Sequence, residues 1–151
     1  MSIENCLLSA IVMYMPFIAA AQSPVKWTCS AKKTGDKTYE IHVVSTIDHP
    51  WHIYSQFTPE DGPSLPTKIF FNKNPLVTLS GKVKEIGNLV TKHEEILDVD
   101  LKYYNDNVDF VQVVNLKNNV KTDISGTIEF TVCTDERCLM PQTIPFTVTL
   151  Q

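Results

Sequence analysis

The sequence predicts an all-β protein, and more specifically an immunoglobulin-like antiparallel β-sandwich. After residue 22, short runs rich in Val, Ile, Thr, Tyr and Phe alternate with Pro, Gly, Asn and Asp, so that turns recur about every ten residues. Apolar and polar residues alternate within these runs, and none of the runs has the period of an amphipathic helix. We therefore expect eight or nine short strands.

The predicted strands follow one another without an internal repeat or a linker. The alternation is clearest in the second strand, where Tyr39 and Ile41 share one face. Three prolines and a glycine make TPEDGPSLP a loop, because proline fixes φ and lacks a backbone N–H. We expect Trp51 and Tyr54 in the core or at its rim, and His52 at the surface. In chain order the strands are VKWTCSAK, KTYEIHVVSTI, WHIYSQF, TKIFF, LVTLSGKVKEI, EILDVDLKYY, VDFVQVVNL, GTIEFTVC and TIPFTVTL.

Residues 1–21 are predicted to be a cleaved signal peptide, which leaves residues 22–151 as one mature domain. The apolar run CLLSAIVMYMPFIAAAQ ends in small residues, Ala19 to Ala21, that suit a signal peptidase. It is shorter than the roughly 20 residues that a membrane-spanning helix needs. A retained anchor is the alternative. Export predicts an oxidising compartment, in which cysteines form disulfides or carry out redox chemistry.

The charge of the chain argues against two classes of partner. The net charge is −4, and the basic residues do not form a patch along the sequence. Nucleic acid and anionic membrane surfaces are therefore poor candidates. We expect a monomer.

Cys133 and Cys138 form the most informative motif, with the four residues TDER between them. If TDER is a turn, the two residues lie opposite each other on adjacent strands, at a spacing that suits a disulfide. Alternation in GTIEFTVC places Cys133 on the polar face with Thr127 and Glu129, which predicts that it faces solvent. Cys29 is left over, and we expect a buried, unreactive thiol there.

Four interpretations of the pair stay open at this point: a redox couple, a structural disulfide, a metal site and two unpaired thiols. A disulfide that closes so short a loop stabilises the folded protein little, because it removes little conformational entropy from the unfolded chain. Exposed disulfides in short loops are often labile. A zinc site would need a second pair of ligands, which the four histidines do not supply in a recognisable spacing. Asp135 and Glu136 oppose thiolate formation, so we expect a disulfide that partners attack, or a dithiol that hands on electrons.

Three segments resemble the N-terminal periplasmic domain of DsbD, in the disulfide-bond corrector family of thiol–disulfide interchange proteins. They are GTIEFTVCTDERCLMPQTIPFTV, HPWHIYSQ and KHEEILDVDLKYYNDNVDFVQVV. The resemblance implies an immunoglobulin-like sandwich in which Cys133 and Cys138 are the redox pair. It implies no cofactor and no metal.

The resemblance also implies roles for five further residues. Tyr54 matches an aromatic residue near the cysteines, and Glu94 or Glu95 matches an acidic one. Ile96 or Leu97 would occupy the loop that caps the disulfide, although the family's prominent cap aromatic has no counterpart in this sequence.

The function implied is that of a periplasmic electron relay, a component of a protein-disulfide reductase. A membrane thiol–disulfide reductase would reduce the Cys133–Cys138 pair, and periplasmic thioredoxin-fold or other disulfide proteins would receive the electrons. The alternative is a non-catalytic exported binding or structural domain whose disulfide only secures a hairpin.

Overall fold

The computed structural model describes residues 23–60, 62 and 65–151, and within them the chain forms eleven β-strands and no helix. The predicted signal peptide lies outside the described residues, and no helix within them could cross a membrane. The strands are β1 (Val25–Lys33), β2 (Thr38–Ile47), β3 (His52–Tyr54), β4 (Lys68–Phe71), β5 (Val77–Gly87), β6 (Val90–Glu94), β7 (Val99–Tyr104), β8 (Asn107–Leu116), β9 (Thr122–Phe130), β10 (Val132–Cys133) and β11 (Gln142–Leu150).

The strands pair antiparallel in three sheets, with the orders β1-β2-β8-β5, β10-β3-β7-β6 and β11-β9-β4. Side chains from all three sheets meet in one main core, which includes Ile41, Phe110, Ile128 and Val132. The predicted all-β, immunoglobulin-like sandwich is thereby confirmed. The alternation predicted for β2 is also present, because Tyr39 and Ile41 are buried.

Two strands differ from the sequence prediction. The segment VTKHE forms β6, which was not predicted because its mainly exposed residues carry no apolar alternation. The predicted strand GTIEFTVC is divided between β9 and β10, since the chain leaves the β11-β9-β4 sheet at Thr131 and then pairs with β3. This change of sheet brings Cys133 next to β3.

The sheet β10-β3-β7-β6 carries clustered apolar side chains on both faces. Ile53, Tyr104 and Val132 belong to the main core. A second, smaller apolar cluster contains Cys133 and Tyr54 together with Leu101, Val99 and Tyr103. Because neighbouring strand residues point to opposite faces, this cluster lies on the face away from the main core.

Glu85 on β5 ties the segment after β3 to the opposite sheet. Its carboxylate accepts hydrogen bonds from Ser55 Oγ at 2.7 Å, Gln56 N–H at 2.7 Å and Tyr104 Oη at 2.8 Å. Burial, followed by the Glu85 hydrogen bond and charge, raises the pKa of Tyr104 well above its usual range. The tyrosine therefore remains a hydrogen-bond donor, and the end of β3 is held in place.

Candidate functional site

Cys133 and Cys138 form a disulfide between adjacent antiparallel segments. The two residues are an isolated β-bridge with a Cα–Cα distance of 4.0 Å. Thr134 N–H donates to the Arg137 carbonyl at 2.7 Å, and Leu139 N–H donates to the Val132 carbonyl at 2.8 Å. The residues TDER therefore form the tight turn that the sequence predicts.

The threonine side chain explains why this turn forms locally. Thr134 Oγ1 accepts hydrogen bonds from the backbone N–H groups of Glu136 and Arg137, both at 3.2 Å. The Arg137 guanidinium lies over the Trp51 ring at 5.5 Å from its centroid, a cation–π contact that fixes the turn against the start of β3.

The two bonded cysteines differ sharply in burial. Cys133 has no exposed surface, whereas Cys138 is exposed. The prediction that Cys133 faces solvent was wrong. Alternation correctly placed it on the face opposite the main core, but the second apolar cluster with Tyr54 and Leu101 covers that face.

His52 is also buried, at 8% exposure, and the prediction of a surface residue was wrong. It is the cross-strand partner of Cys133 in the β10–β3 pair. Its Nε2 lies 3.2 Å from Tyr54 Oη, and its ring centroid lies 4.5 Å from that of Tyr103. Burial lowers the pKa of His52, an effect that nearby Asp135 opposes and Lys92 reinforces.

A cavity of about 280 Å³ opens beside the disulfide on the outer face of the β10-β3-β7-β6 sheet. Charged residues of both signs surround it, and Lys92 Nζ on β6 lies 3.9 Å from Asp135 Oδ1 in the turn. This exposed ion pair is weak, but it marks the place where β6 approaches the cysteine turn. The residues that line the cavity are His52, Tyr54, Lys92, Glu94, Leu101, Tyr103, Thr134, Asp135, Glu136, Arg137 and Cys138.

The structure brings some of the predicted near-site residues to the disulfide and leaves others apart from its cavity. Tyr54 and Glu94 line the cavity with Cys138. Glu95, Ile96 and Leu97 follow β6, are exposed and do not line it; Ile96 is 89% and Leu97 50% exposed. The roles assigned to these five residues, including the capping role, stay predictions.

His52, Tyr103 and Lys92 line the cavity with Cys138 although they were not predicted as neighbours of the cysteines. A signal for His52 exists in the segment HIY, where Ile53 enters the main core and so directs His52 and Tyr54 together to the other face. No sequence signal places Tyr103 and Lys92 there, since their positions depend on the pairing of β7 with β3 and of β6 with β7.

Cys29 is a free cysteine that packs partly buried against the main core from β1. Burial raises the pKa of its thiol, which disfavours the reactive thiolate. Among the described residues, no group of three or more His, Cys, Asp or Glu side chains is arranged to hold a metal ion.

Solved structures of the N-terminal domains of DsbD and ScsB have a similar fold. The DsbD N-terminal domain of Neisseria meningitidis in its reduced form superimposes with a TM-score of 0.52 and 12% identity, over 82% of this chain and 85% of that one. The complex of the DsbD N-terminal and PilB N-terminal domains from Neisseria meningitidis gives a TM-score of 0.51 and 11% identity, over 85% of this chain and 87% of that one.

The N-terminal periplasmic domain of ScsB from Proteus mirabilis gives a TM-score of 0.49 and 15% identity. That match covers 83% of this chain but only 44% of the ScsB chain. No protein-family model and no curated protein sequence matches the chain. At these identities the likeness to DsbD establishes a shared fold, and at that level the resemblance read from the sequence is confirmed.

Proposed function

We propose that this chain is an exported thiol–disulfide exchange domain, a component of a protein-disulfide reductase. Its Cys133–Cys138 pair would cycle between disulfide and dithiol. The observation that carries the proposal is the unequal burial of the two bonded residues, with Cys138 exposed and Cys133 sealed in an apolar cluster. A partner's thiolate can approach an exposed disulfide sulfur, and access of this kind is what makes a disulfide exchangeable.

The exchange would proceed in two steps through an intermolecular disulfide. A partner thiolate attacks Cys138 Sγ, the bond between the two cysteines breaks, and Cys133 Sγ leaves and takes up a proton. The partner's second thiolate then attacks the intermolecular disulfide, which releases Cys138 and leaves the partner oxidised. The same steps in reverse, begun by Cys138 on a downstream disulfide, pass two electrons onward.

The charges of the turn suit a relay better than a strongly nucleophilic thiol. Asp135 and Glu136 directly precede Arg137 in the turn, and all three line the cavity with Cys138. Acidic neighbours disfavour the thiolate, and in the described part of the chain there is no helix whose N-terminus could stabilise it. Exchange would therefore depend on a more reactive partner thiol.

We further infer the partners and the location from the resemblance. Electrons would come from a membrane thiol–disulfide reductase and pass to periplasmic disulfide proteins, of thioredoxin fold or other folds. The similar DsbD N-terminal domain is described in a complex with a PilB domain, which supports a protein partner rather than a small molecule. The predicted signal peptide supports export to the periplasm.

Trapping of intermolecular disulfides tests this proposal. In the Cys29→Ala, Cys133→Ala double variant, Cys138 lacks the thiol that would displace a bound partner. We expect this variant, exported as the full chain, to accumulate disulfide-linked complexes that run as larger species on non-reducing gels and disappear with reductant. The matched control adds Cys138→Ala and should accumulate none. A folded double variant that captures no partner would instead favour the non-catalytic domain with a structural disulfide.

A further inference from the structure

His52, Cys133 and Cys138 form a row across three adjacent segments of the chain. Cys133 is the cross-strand partner of His52 on one side and bridges to Cys138 on the other. Directly opposed residues of antiparallel strands point to the same face, with Cβ atoms about 4.5–5.5 Å apart. The imidazole therefore lies beside the buried cysteine on the face that carries the cavity.

The buried member of the pair faces a problem of proton transfer. When Cys138 is joined to a partner through a disulfide, Cys133 can close the Cys133–Cys138 bond only by attacking as a thiolate, because the thiol itself is a poor nucleophile. Cys133 has no exposed surface, and its neighbours Tyr54 and Leu101 form an apolar cluster with it. Burial of this kind opposes formation of the anion, so a nearby base is needed to take the proton as the sulfur attacks.

We propose that His52 is this base, an inference that rests on the thiol–disulfide exchange proposed above. When Cys138 is joined to a partner through a disulfide, Cys133 Sγ attacks Cys138 Sγ while its proton passes to the neutral His52 imidazole. The new Cys133–Cys138 bond forms, the bond to the partner breaks, and the partner sulfur leaves as a thiolate. The proton then passes from His52 to that thiolate or to water.

The hydrogen bond to Tyr54 fixes the ring for this task. Nε2 lies 3.2 Å from Tyr54 Oη, and in the proposed tautomer Nε2–H donates to this oxygen, so that Nδ1 carries the lone pair that accepts the proton. The rings of Tyr54 and Tyr103 pack against the imidazole at centroid distances of 5.3 and 4.5 Å. These contacts hold the ring in place beside Cys133.

The surroundings of His52 favour its neutral form at pH 7. Its pKa is lowered chiefly by burial, so the folded protein holds the imidazole unprotonated at and above its ordinary pKa of about 6.5. The base is lost only as the pH falls through the lowered value. The other titratable groups that face it are Tyr54 on β3, Tyr103 on β7, Lys92 and Glu94 on β6, Asp135, Glu136 and Arg137 in the turn, and the two cysteines.

Stopped-flow reaction of the reduced domain with one equivalent of dithiobis(nitrobenzoate) separates the two steps. The protein carries Cys6→Ala and Cys29→Ala, so that only the Cys133 and Cys138 thiols react. Cys138 attacks the reagent, which releases the first coloured thiolate and leaves the other half of the reagent bound to Cys138 through a disulfide. Cys133 then attacks Cys138 and releases that half as the second coloured thiolate. We expect His52→Asn to slow the second release at least about tenfold at pH 7, in line with general-base effects, and to change the first less than about twofold.

His93→Asn is the matched control, because His93 lies on β6 of the same sheet, is exposed and does not line the cavity. In this variant both coloured thiolates should be released at the same rates as from the protein with both histidines intact. If the second release has the same rate in the folded His52→Asn and His93→Asn variants, the proposed role of His52 is overturned. The exchange function would not be affected by that result. An unreactive Cys138 in the protein with His52 intact, with no first release, would overturn the exchange function and this inference with it.

The pH profile with His52 intact decides the matter if His52→Asn does not fold. General-base action predicts a second-release rate that is level above about pH 7 and falls through an inflection below about 6.5. A rate that instead rises about tenfold per pH unit toward an ordinary thiol pKa of about 8.5 would show that no base assists and would overturn the proposal.

Discussion

Glu85→Ala is expected to lower the free energy of unfolding by about 3 kcal/mol, since hydrogen bonds to a charged group contribute roughly 1.5–3 kcal/mol each and water can replace part of them here. The carboxylate accepts three hydrogen bonds, from Ser55 Oγ, Gln56 N–H and Tyr104 Oη. Ser55 and Tyr104 are buried, so their hydroxyl groups would be left without this acceptor in places that water reaches poorly. Equilibrium urea denaturation measures the loss.

Glu129→Ala provides the control for this prediction. Glu129 is an exposed carboxylate on β9, and its removal should change the free energy of unfolding by less than about 0.5 kcal/mol. Glu85→Gln should fall between the two, because the amide keeps only one of the two acceptor oxygens. If Glu85→Ala were as stable as Glu129→Ala, the proposed anchoring of the end of β3 to β5 would be wrong.

Gly126→Ala should destabilise the protein by at least about 3 kcal/mol, at the upper end of the usual cost of overpacking. Gly126 is buried on β9 between β4 and β11. A Cβ atom at this position would overlap the carbonyl oxygen of Phe70 and lie 2.7 Å from the ring of Phe146. Neither can move freely, since Phe70 belongs to the paired strand β4 and Phe146 packs edge-on against Phe71.

Gly35→Ala is the comparison for the glycine substitution. A Cβ there would meet the Thr38 side chain at 3.3 Å, in an exposed turn that can adjust. We expect a change below about 1 kcal/mol for Gly35→Ala in the same thermal or urea denaturation measurement. A similar small change for Gly126→Ala would mean that β4 and β9 are not packed as closely as described.

Much of the sandwich could be predicted from local pattern. Ile128 and Phe130 on β9 and Val148 and Leu150 on β11 alternate with polar residues, and these apolar residues enter the main core. Period-two alternation reports which residues share a face whatever the partner strand is. The tight turn between the cysteines was predictable for a similar reason, because Thr134 and its neighbours form it locally.

The surroundings of the disulfide could not be predicted in this way. Alternation places Cys133 opposite the main core, but it cannot tell whether that face is covered. Tyr54 comes from a strand of three residues, and Leu101 and Tyr103 come from β7. All three are far from Cys133 in the sequence. The burial of Cys133 and His52 depends on these long-range pairings, which leave no signal in the residues next to the cysteines.

The covered face also changes what the disulfide is suited to do. In the proposed exchange a partner would attack the exposed Cys138, and the buried Cys133 would be the sulfur that leaves and returns. The buried sulfur is shielded from unrelated thiols but needs help in gaining and losing its proton. His52 occupies the cross-strand position from which it can give this help.

The reduction potential of the Cys133–Cys138 pair tests the central claim most directly. Equilibration of the Cys6→Ala, Cys29→Ala protein with glutathione or dithiothreitol redox buffers gives the value. An exchangeable pair predicts a potential less negative than about −300 mV, within reach of reducing partners. A value clearly more negative than about −300 mV is typical of a structural disulfide and would contradict the proposed exchange.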